Sequence, residues 1–392
     1  TSAHKKEVHI NYQLSEMNMA VVSLEKSNTG RQTEFDLLKV ILIIGMVFVH
    51  VYEKLSIYDT SVLPGTTAEW VLQVGGGLVG ASLFMFCMGI GMAYTPRQTP
   101  AAFANRGWHL LFYGYLLNLV REGIPLLIIS LSGTGSPEPK AYLSALMNVD
   151  ILHLAGLSFL LVALFMKFRI APPVMLLIAL VLQTAAGLWT EATTGTPVMD
   201  MLVGLFVYVN SDTSFPLMLW FVYPTFGYTC GNLLKYVADK PKFYRKLLFG
   251  IPPVFVCLWV ALSLTGLNVP ELFVLAGDAQ YRQNMMISTL SFLAFFMFSA
   301  VVFFAMRSVR NEVLLRFISS TSANLINIYC IQWVIILWLQ MLFGVNKTLT
   351  AAWIVPAALA ILIISIFFAA LYKNILARIR HAKENRSKGI KR

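Results

Sequence analysis

The chain has 392 residues, of which 57% are hydrophobic and only 12% are charged, and its formal net charge is +11. A soluble globular domain has about 25% charged residues, so this composition excludes an ordinary cytosolic protein, a fibrous protein and a disordered one. The solvent for so much apolar surface is lipid, and the positive charge then has to be placed on one side of a membrane.

Apolar stretches long enough to cross a bilayer as a helix occur ten times along the chain. In order, they cover residues 37–56, 68–94, 106–131, 149–166, 172–190, 214–235, 247–266, 285–306, 317–344 and 349–372. Continuous runs of this length predict a helical bundle rather than a β-barrel. We therefore expect an all-α polytopic membrane protein of about ten transmembrane helices. Its parts are a cytosolic N-terminal arm (1–35), a ten-helix membrane domain (36–372) and a basic cytosolic tail (373–392).

Basic residues mark the loops that face the cytoplasm. With the N-terminus inside and ten spans, 25 of the 30 Lys and Arg residues fall on the inner side, and 11 of the 19 acidic residues fall on the outer side. This asymmetry predicts two cytoplasmic termini and explains the net charge by topology, so no nucleic-acid partner is expected. The basic tail suits anionic lipid of the inner leaflet. The short outer loops favour a multi-pass protein of a bacterial cell (inner) membrane.

Polar side chains inside the spans are costly in lipid, so each is a candidate functional residue. At about 1.5 Å per residue, His50 lies roughly 20 Å above Asp36 in the first span. Three other spans bring further polar residues to mid or outer depth. The expected outer layer comprises His50, Glu53, Arg121, Glu122, Asp150, His153, Asn324, Asn327, Gln332 and Trp333.

A second polar set is expected at the cytoplasmic side. It comprises Asp36, Lys39, Arg106, His109, Asn232 and Lys235. A histidine in a wet cavity suits general acid–base catalysis, because its ordinary pKa lies near neutrality. Basic residues at the inner mouth suit a polyanion such as a nucleotide phosphate. A cavity that joins the two layers would let a cytosolic donor react with an extracytoplasmic acceptor.

Each polar residue also has a purely structural interpretation. Arg121 pairs either with Glu122 or with Asp150, and His153 caps the start of the fourth span. His50 is the hardest to explain in this way, because it follows a long apolar run and is the only histidine deep in the first span. No CxxC, HExxH, Walker or GxGxxG pattern occurs in a suitable context, so no metal is expected.

The first span opens with a motif of fixed spacing. It reads Arg31-Gln-Thr-Glu-Phe-Asp36-Leu-Leu-Lys39 and continues to His50, eleven positions after Lys39. This resembles the opening of the transmembrane acyltransferase superfamily, which includes the acyltransferase family 3 enzymes and the heparan-alpha-glucosaminide N-acetyltransferase-like branch. Lys39 stands where both of these branches have Arg, a change that keeps the charge and loses the bidentate fork.

Further segments resemble the second branch and occur in the same order along the chain. They are residues 84–89, 105–107, 150–153, 215–216 with Gly227 and Gly231, and 325–332. The likeness therefore touches most of residues 31–335. Each motif is short, and the specificity of the match comes from their common order.

The resemblance implies an acyltransferase that moves an acyl group, most simply acetyl, from cytosolic acyl-CoA (acetyl-CoA) to a hydroxyl or amine of an extracytoplasmic glycan or glycolipid. By position it implies His50 as the general base, with Asp150 and His153 as further catalytic candidates. The residues implied for the donor are Arg31, Asp36, Lys39 and Arg106, and those for the acceptor are Asn327 and Gln332. The outer polar layer adds Arg121 and Glu122 as acceptor-binding candidates.

Two other functions fit the same polar residues. A proton-coupled transporter or exporter of a small solute or lipid-linked sugar also needs ionisable groups in its membrane helices. The chain has no visible internal repeat of the kind that many transporters show, which favours the enzyme. A non-catalytic membrane scaffold or receptor leaves the layered polar residues without a purpose.

Overall fold

The computed structural model describes residues 21–59, 63–76, 80–188, 196–208, 213–274 and 281–389, and within these ranges the chain is helical apart from loops and three isolated bridges. The α-helices, numbered in chain order, are α1 (Thr33–Leu55), α2 (Thr67–Gly76), α3 (Ser82–Tyr94), α4 (Pro100–Asn118), α5 (Ile124–Leu131), α6 (Pro139–Met147), α7 (Ile151–Lys167), α8 (Pro172–Gly187), α9 (Pro197–Gly204), α10 (Leu217–Trp220), α11 (Val222–Leu234), α12 (Lys240–Leu264), α13 (Met285–Ser308), α14 (Glu312–Ala323), α15 (Leu325–Met341) and α16 (Ala351–Gly389). A π-helical turn (Leu119–Gly123) joins α4 to α5, and a 3-10 helix (Val269–Phe273) follows α12. The all-α prediction is confirmed for these residues.

Five helices of the described chain are long and apolar enough to cross a membrane. They are α1, α4 continued through the π-turn into α5, α12, α13 and the first 29 residues of α16. A sixth span is obtained if α14 and α15, which meet at an angle of 72°, are taken as one. The expected ten spans and the orientation of the termini stay predictions.

The remaining four predicted spans coincide with helices that are shorter or interrupted. The span predicted at 149–166 is α7, with 17 residues, and that at 172–190 is α8, with 16 residues. Helices of this length reach about 25 Å, less than the roughly 30 Å of the hydrocarbon core. The spans predicted at 68–94 and 214–235 are each divided between two helices, α2 with α3 and α10 with α11.

The ninth predicted span, 317–344, is not a single straight helix. Asn324 ends α14, because its side-chain amide donates to Ser320 O at 2.9 Å and its backbone N–H donates to Thr321 O at 3.0 Å. Its carbonyl then accepts from Ile328 N–H at the start of α15. An asparagine that bonds the backbone in this way competes with the helical ladder, which explains the bend.

Glycines bring α3 and α11 into direct backbone contact near the centre of the bundle. A Cβ added at Gly89 would lie 2.1 Å from Pro224 O, and one added at Gly227 would lie 2.1 Å from Phe86 O. Small residues at helix–helix contacts allow close packing in membranes, where lipid offers no hydrophobic drive for association. Both glycines lie in the segments that resemble the acyltransferase motifs.

Glycines also allow close contact between α4 and α7. A Cβ at Gly107 would lie 2.8 Å from Gly156 O, and one at Gly114 would lie 2.9 Å from the His153 ring. The contact fixes the start of α7, and therefore Asp150, beside the π-turn that follows α4.

Part of the predicted N-terminal arm and most of the predicted C-terminal tail lie within the described residues. Residues 1–20 lie outside the described residues, but Val22 pairs with Val237, and Asn28 N–H donates to Lys235 O at 2.9 Å. The segment before α1 therefore packs against the end of α11. At the other end, α16 continues through the predicted tail to Gly389.

Candidate functional site

A cavity of about 620 Å³ opens beside the second half of α1. Along α1 it is lined from Ile41 to Lys54, a rise of about 20 Å. Its lining residues with acidic, basic or imidazole side chains are His50, Glu53, Lys54, Arg121, Glu122 and Asp150. Five of these six belong to the expected outer layer, so residues from three separate stretches of the chain meet in one place.

Asp150 is the most densely bonded group at the cavity. It is the N-cap of α7, and its Oδ1 accepts from Ile151 N–H and from the Tyr329 hydroxyl, each at 2.5 Å. Its Oδ2 accepts from Arg121 at 2.5 Å. Both carboxylate oxygens are therefore engaged by donors of the protein, which holds Asp150 in one orientation.

The π-turn between α4 and α5 supplies Arg121 and Glu122. The wider turn of a π-helix places side chains where the α-helical ladder would not, and such turns are frequent at functional sites. Arg121 is 3% exposed, and besides Asp150 it lies 3.1 Å from Glu122 Oε1. Arg121 therefore forms the ion pair with Asp150 that was one of the structural interpretations of the sequence.

His50 lies on the facing wall, and it contacts α15. Its Nδ1 is 2.9 Å from Gln332 Nε2, and its ring centroid is 4.1 Å from that of Trp333. Tyr329 meets the same ring edge-on at 6.4 Å. Side chains on one face of α15 therefore contact both His50 and Asp150.

Trp333 connects the two halves of the site. The Arg121 guanidinium lies 5.2 Å from the centre of the Trp333 ring, within the range of a cation–π interaction, and His50 packs on the same side chain. The sequence placed Trp333 in the outer layer without a specific role, and it did not single out Tyr329. Their spacing of four residues on an apolar helix, on either side of Gln332, is a weak signal that they share a face.

The charges around the cavity suit a neutral or cationic molecule. Three carboxylates face two cations, because Lys54 pairs with Glu53 at 2.7 Å and Arg121 serves Asp150 and Glu122. With His50 neutral, the lining carries an excess of one negative charge. An amine or hydroxyl suits such a lining better than a phosphate does.

The inner set is only partly brought together. Asp36 accepts from Arg31 at 2.6 Å and from the Ser322 hydroxyl at 2.7 Å. Lys39, three residues further along α1, is half-buried and has no ion-pair partner among the described residues. It lies eleven residues before His50, which is about three turns, so both side chains project from the same face of α1 about 16 Å apart.

Arg106 lies apart from these residues. It is on the exposed side of α4, with its guanidinium 5.4 Å from the Phe159 ring centre. No contact in the described part of the chain joins it to Arg31, Asp36 or Lys39.

His153 and Asn327 do not line the cavity in the described structure. His153 is fully buried and accepts from Asp150 N–H at 3.1 Å, which closes a reciprocal cap at the start of α7. The interpretation of His153 as a cap at the start of the fourth predicted span therefore agrees with its position in the structure. Asn327 is half-buried on α15. Among the described residues, no group of three or more His, Cys, Asp or Glu is placed to hold a metal ion.

A comparison with known families finds a match over the first part of the chain. The family model described as "Heparan-alpha-glucosaminide N-acetyltransferase, catalytic" matches residues 31–259, more than half of the chain. His50, Arg121 and Asp150 lie within this range, whereas Tyr329, Gln332 and Trp333 lie beyond it. No curated protein and no solved structure matches the chain.

Proposed function

We propose that this chain moves an acetyl group from cytosolic acetyl-CoA to an amine or hydroxyl of a sugar on the far side of the membrane. The proposal starts from the family, because the chain belongs to the heparan-alpha-glucosaminide N-acetyltransferase catalytic family. Family membership confirms the resemblance seen in the sequence and supports a membrane acetyltransferase. The donor, the sidedness, the acceptor and the catalytic base belong to the proposal.

One observation carries the proposal to named residues. His50 faces the acidic cavity, and Lys39 projects from the same face of α1 about 16 Å further inward, without an ion-pair partner in the described structure. A base at the acceptor end and an unpaired cation at the donor end suit a substrate that reaches from one to the other. The pantetheine arm of acyl-CoA separates its thioester from its phosphates in this manner.

The acyl transfer itself needs one base and no metal from the chain. The acceptor nitrogen or oxygen attacks the thioester carbonyl carbon, and His50 takes the proton that this atom loses. The new C–N or C–O bond forms as the C–S bond breaks, and the coenzyme A thiolate leaves with the bonding pair. His50 then returns its proton to the thiolate or to water. General bases of this kind contribute about 10²–10⁴-fold to rate.

Two groups are proposed at the donor end. Lys39 binds a phosphate of the donor, and Arg31 is held near it by its ion pair with Asp36. The Arg31 side chain is 57% exposed, so it retains donors for an incoming phosphate. Arg106 is a peripheral candidate, since it lies on the outward side of α4.

Two carboxylates are proposed to meet the acceptor. Glu53 and Glu122 line the cavity with side chains that are each 21% exposed. Arg121 and Asp150 are more deeply buried and already bonded to each other, so we assign them the task of holding Glu122 and Tyr329 in place. Asp150 and His153 thus support the site rather than react in it.

The experiment uses purified protein in lipid nanodiscs with radiolabelled acetyl-CoA and two acceptors, glucosamine and a neutral glycoside. We expect acetyl transfer to at least one acceptor, and a loss of about 10²-fold or more in His50→Ala. His109→Ala is the matched control, because His109 is exposed on α4 and its one hydrogen bond among the described residues is to Asn105 O of its own helix. Full activity in His50→Ala contradicts the assigned base. Uptake of a solute without any need for acetyl-CoA contradicts the enzyme.

A further inference from the structure

The side chain of Gln332 contacts the proposed base and not the cavity. It is fully buried on α15 and is absent from the cavity lining, although the sequence suggested a place in acceptor binding. Its amide nitrogen lies 2.9 Å from His50 Nδ1, and its carboxamide oxygen is buried without a partner. A buried polar atom left without a partner calls for a physical explanation.

A carboxamide presents either its N–H or its oxygen to a neighbour, and a half-turn about its last bond exchanges the two. With the N–H toward Nδ1, a neutral His50 carries its proton on Nε2 and offers the cavity a hydrogen-bond donor. With the oxygen toward Nδ1, the ring carries its proton there, and Nε2 presents a lone pair. Only the second arrangement provides a base at the nitrogen opposite Gln332.

The second arrangement also suits the product of proton transfer. Once Nε2 has taken a proton, both ring nitrogens are donors, and the Gln332 oxygen still accepts from Nδ1. An amide N–H in that position would instead oppose the ring N–H. The oxygen that lacks a partner is therefore the atom that the imidazolium form of His50 requires.

The remaining contacts restrict the ring and leave this choice to Gln332. Trp333 packs on the His50 ring with centroids 4.1 Å apart, which limits rotation of the imidazole. The charged and titratable groups that face His50 are Glu53 and Lys54 on its own helix, Asp150 at the start of α7, and Tyr329 on α15. Gln332 is the one described hydrogen-bond partner of either ring nitrogen.

We infer that Gln332 is a positioning residue whose carboxamide oxygen holds His50 in the tautomer with the proton on Nδ1, so that Nε2 acts as the base. The inference rests on the proposed function, and it deepens the account of that site. The partner that fixes the tautomer of a metal-ligating histidine typically matters by about 10–100-fold, and we expect an effect of similar size at His50.

The first test compares three single variants in the acetyl-transfer assay over a range of pH. Gln332→Leu removes the acceptor, and we expect kcat to fall about 10–100-fold with each KM within about twofold of wild type. Gln332→Glu keeps an acceptor and adds charge, so we expect kcat to recover to within about threefold, with the acidic limb of the profile moved to higher pH. Gln183→Leu is the control: Gln183 is equally buried but bonds Leu219 O and Ser288 on other helices. We expect it to lower thermal stability without moving the profile.

The inference is overturned if Gln332→Leu keeps kcat within twofold of wild type, or if Gln332→Glu is as inactive as Gln332→Leu at every pH.

A second measurement does not depend on enzyme activity. Solid-state nitrogen NMR of ¹⁵N-histidine protein in bilayers, with the His50 signals assigned by their loss in His50→Ala, reports the tautomer directly. We expect the proton on Nδ1 in wild type and on Nε2 in Gln332→Leu. A wild-type proton on Nε2 overturns the inference, whereas failure of the proposed function appears separately as full activity in His50→Ala.

Discussion

The buried ion pair between Arg121 and Asp150 gives a prediction whose size follows from the structure. In Asp150→Leu, the Arg121 guanidinium keeps only Glu122 at 3.1 Å and the Trp333 ring, while its side chain stays 4% exposed. Removing one partner of a buried pair costs about 3–5 kcal/mol, because a charge is left without compensation. The Tyr329 hydroxyl also loses its acceptor. Because Glu122 remains, we expect the lower part of this range, about 3–4 kcal/mol.

The assay is reversible unfolding in mixed micelles, followed by tryptophan fluorescence, for Asp150→Leu, Arg121→Met and the double variant. Apolar residues of similar volume often replace a whole buried pair at little cost, so the double variant is expected to be more stable than Asp150→Leu alone. The coupling energy from the double-mutant cycle is expected to exceed about 1.5 kcal/mol. A free energy of unfolding for Asp150→Leu within about 1 kcal/mol of wild type, or additive effects of the two substitutions, would refute the reasoning.

Further substitutions test the packing and the donor end. Gly89→Ala places a Cβ 2.1 Å from Pro224 O and is expected to reduce stability severely. Gly91→Ala on the same helix meets nothing within 4 Å and is expected to be neutral or to stabilise by up to about 1 kcal/mol. Thermal unfolding of the two variants checks this difference. Lys39→Ala is expected to raise the KM for acetyl-CoA about tenfold with little change in the KM for the acceptor, since it removes one charge-assisted phosphate contact. Arg106→Ala is expected to change the donor KM less than threefold, and equal effects of the two substitutions would place the donor elsewhere.

The sequence predicts a large part of the helical architecture, because apolar runs, basic loops and Asp caps are local signals. Each of the ten predicted segments overlaps helix in the described structure. The limits of the prediction are also physical. Hydropathy does not distinguish a straight span from one broken at Asn324, where a single side chain competes for backbone groups. Nor does it show that α7 is a short helix buried along most of its length, or that α8 is too short to reach both lipid surfaces.

The sequence likewise predicts some features of the candidate site and not others. Depth along each span was enough to predict that His50, Arg121 and Asp150 share one layer. It was not enough to predict partners, since partners depend on helix rotation and on the π-turn that carries Arg121. Gln332 was therefore expected to bind the acceptor, although it is buried against His50.

Two further residues show what depth along a span leaves open. Arg106 was grouped with Lys39 because both lie near the inner face, but Arg106 lies on the exposed side of α4 beside Phe159, and no contact among the described residues joins it to Lys39. Tyr329 was missed because an aromatic residue in an apolar helix usually belongs to the packing. Only the facing helix reveals that its hydroxyl binds Asp150.

The most direct test of the account is an electron cryo-microscopy structure of the wild-type protein in nanodiscs with saturating coenzyme A. We expect density for the phosphates beside Lys39 and Arg31, with the thiol extended along α1 toward His50. Coenzyme A bound away from α1, or a site that stays empty at saturating ligand, would contradict it.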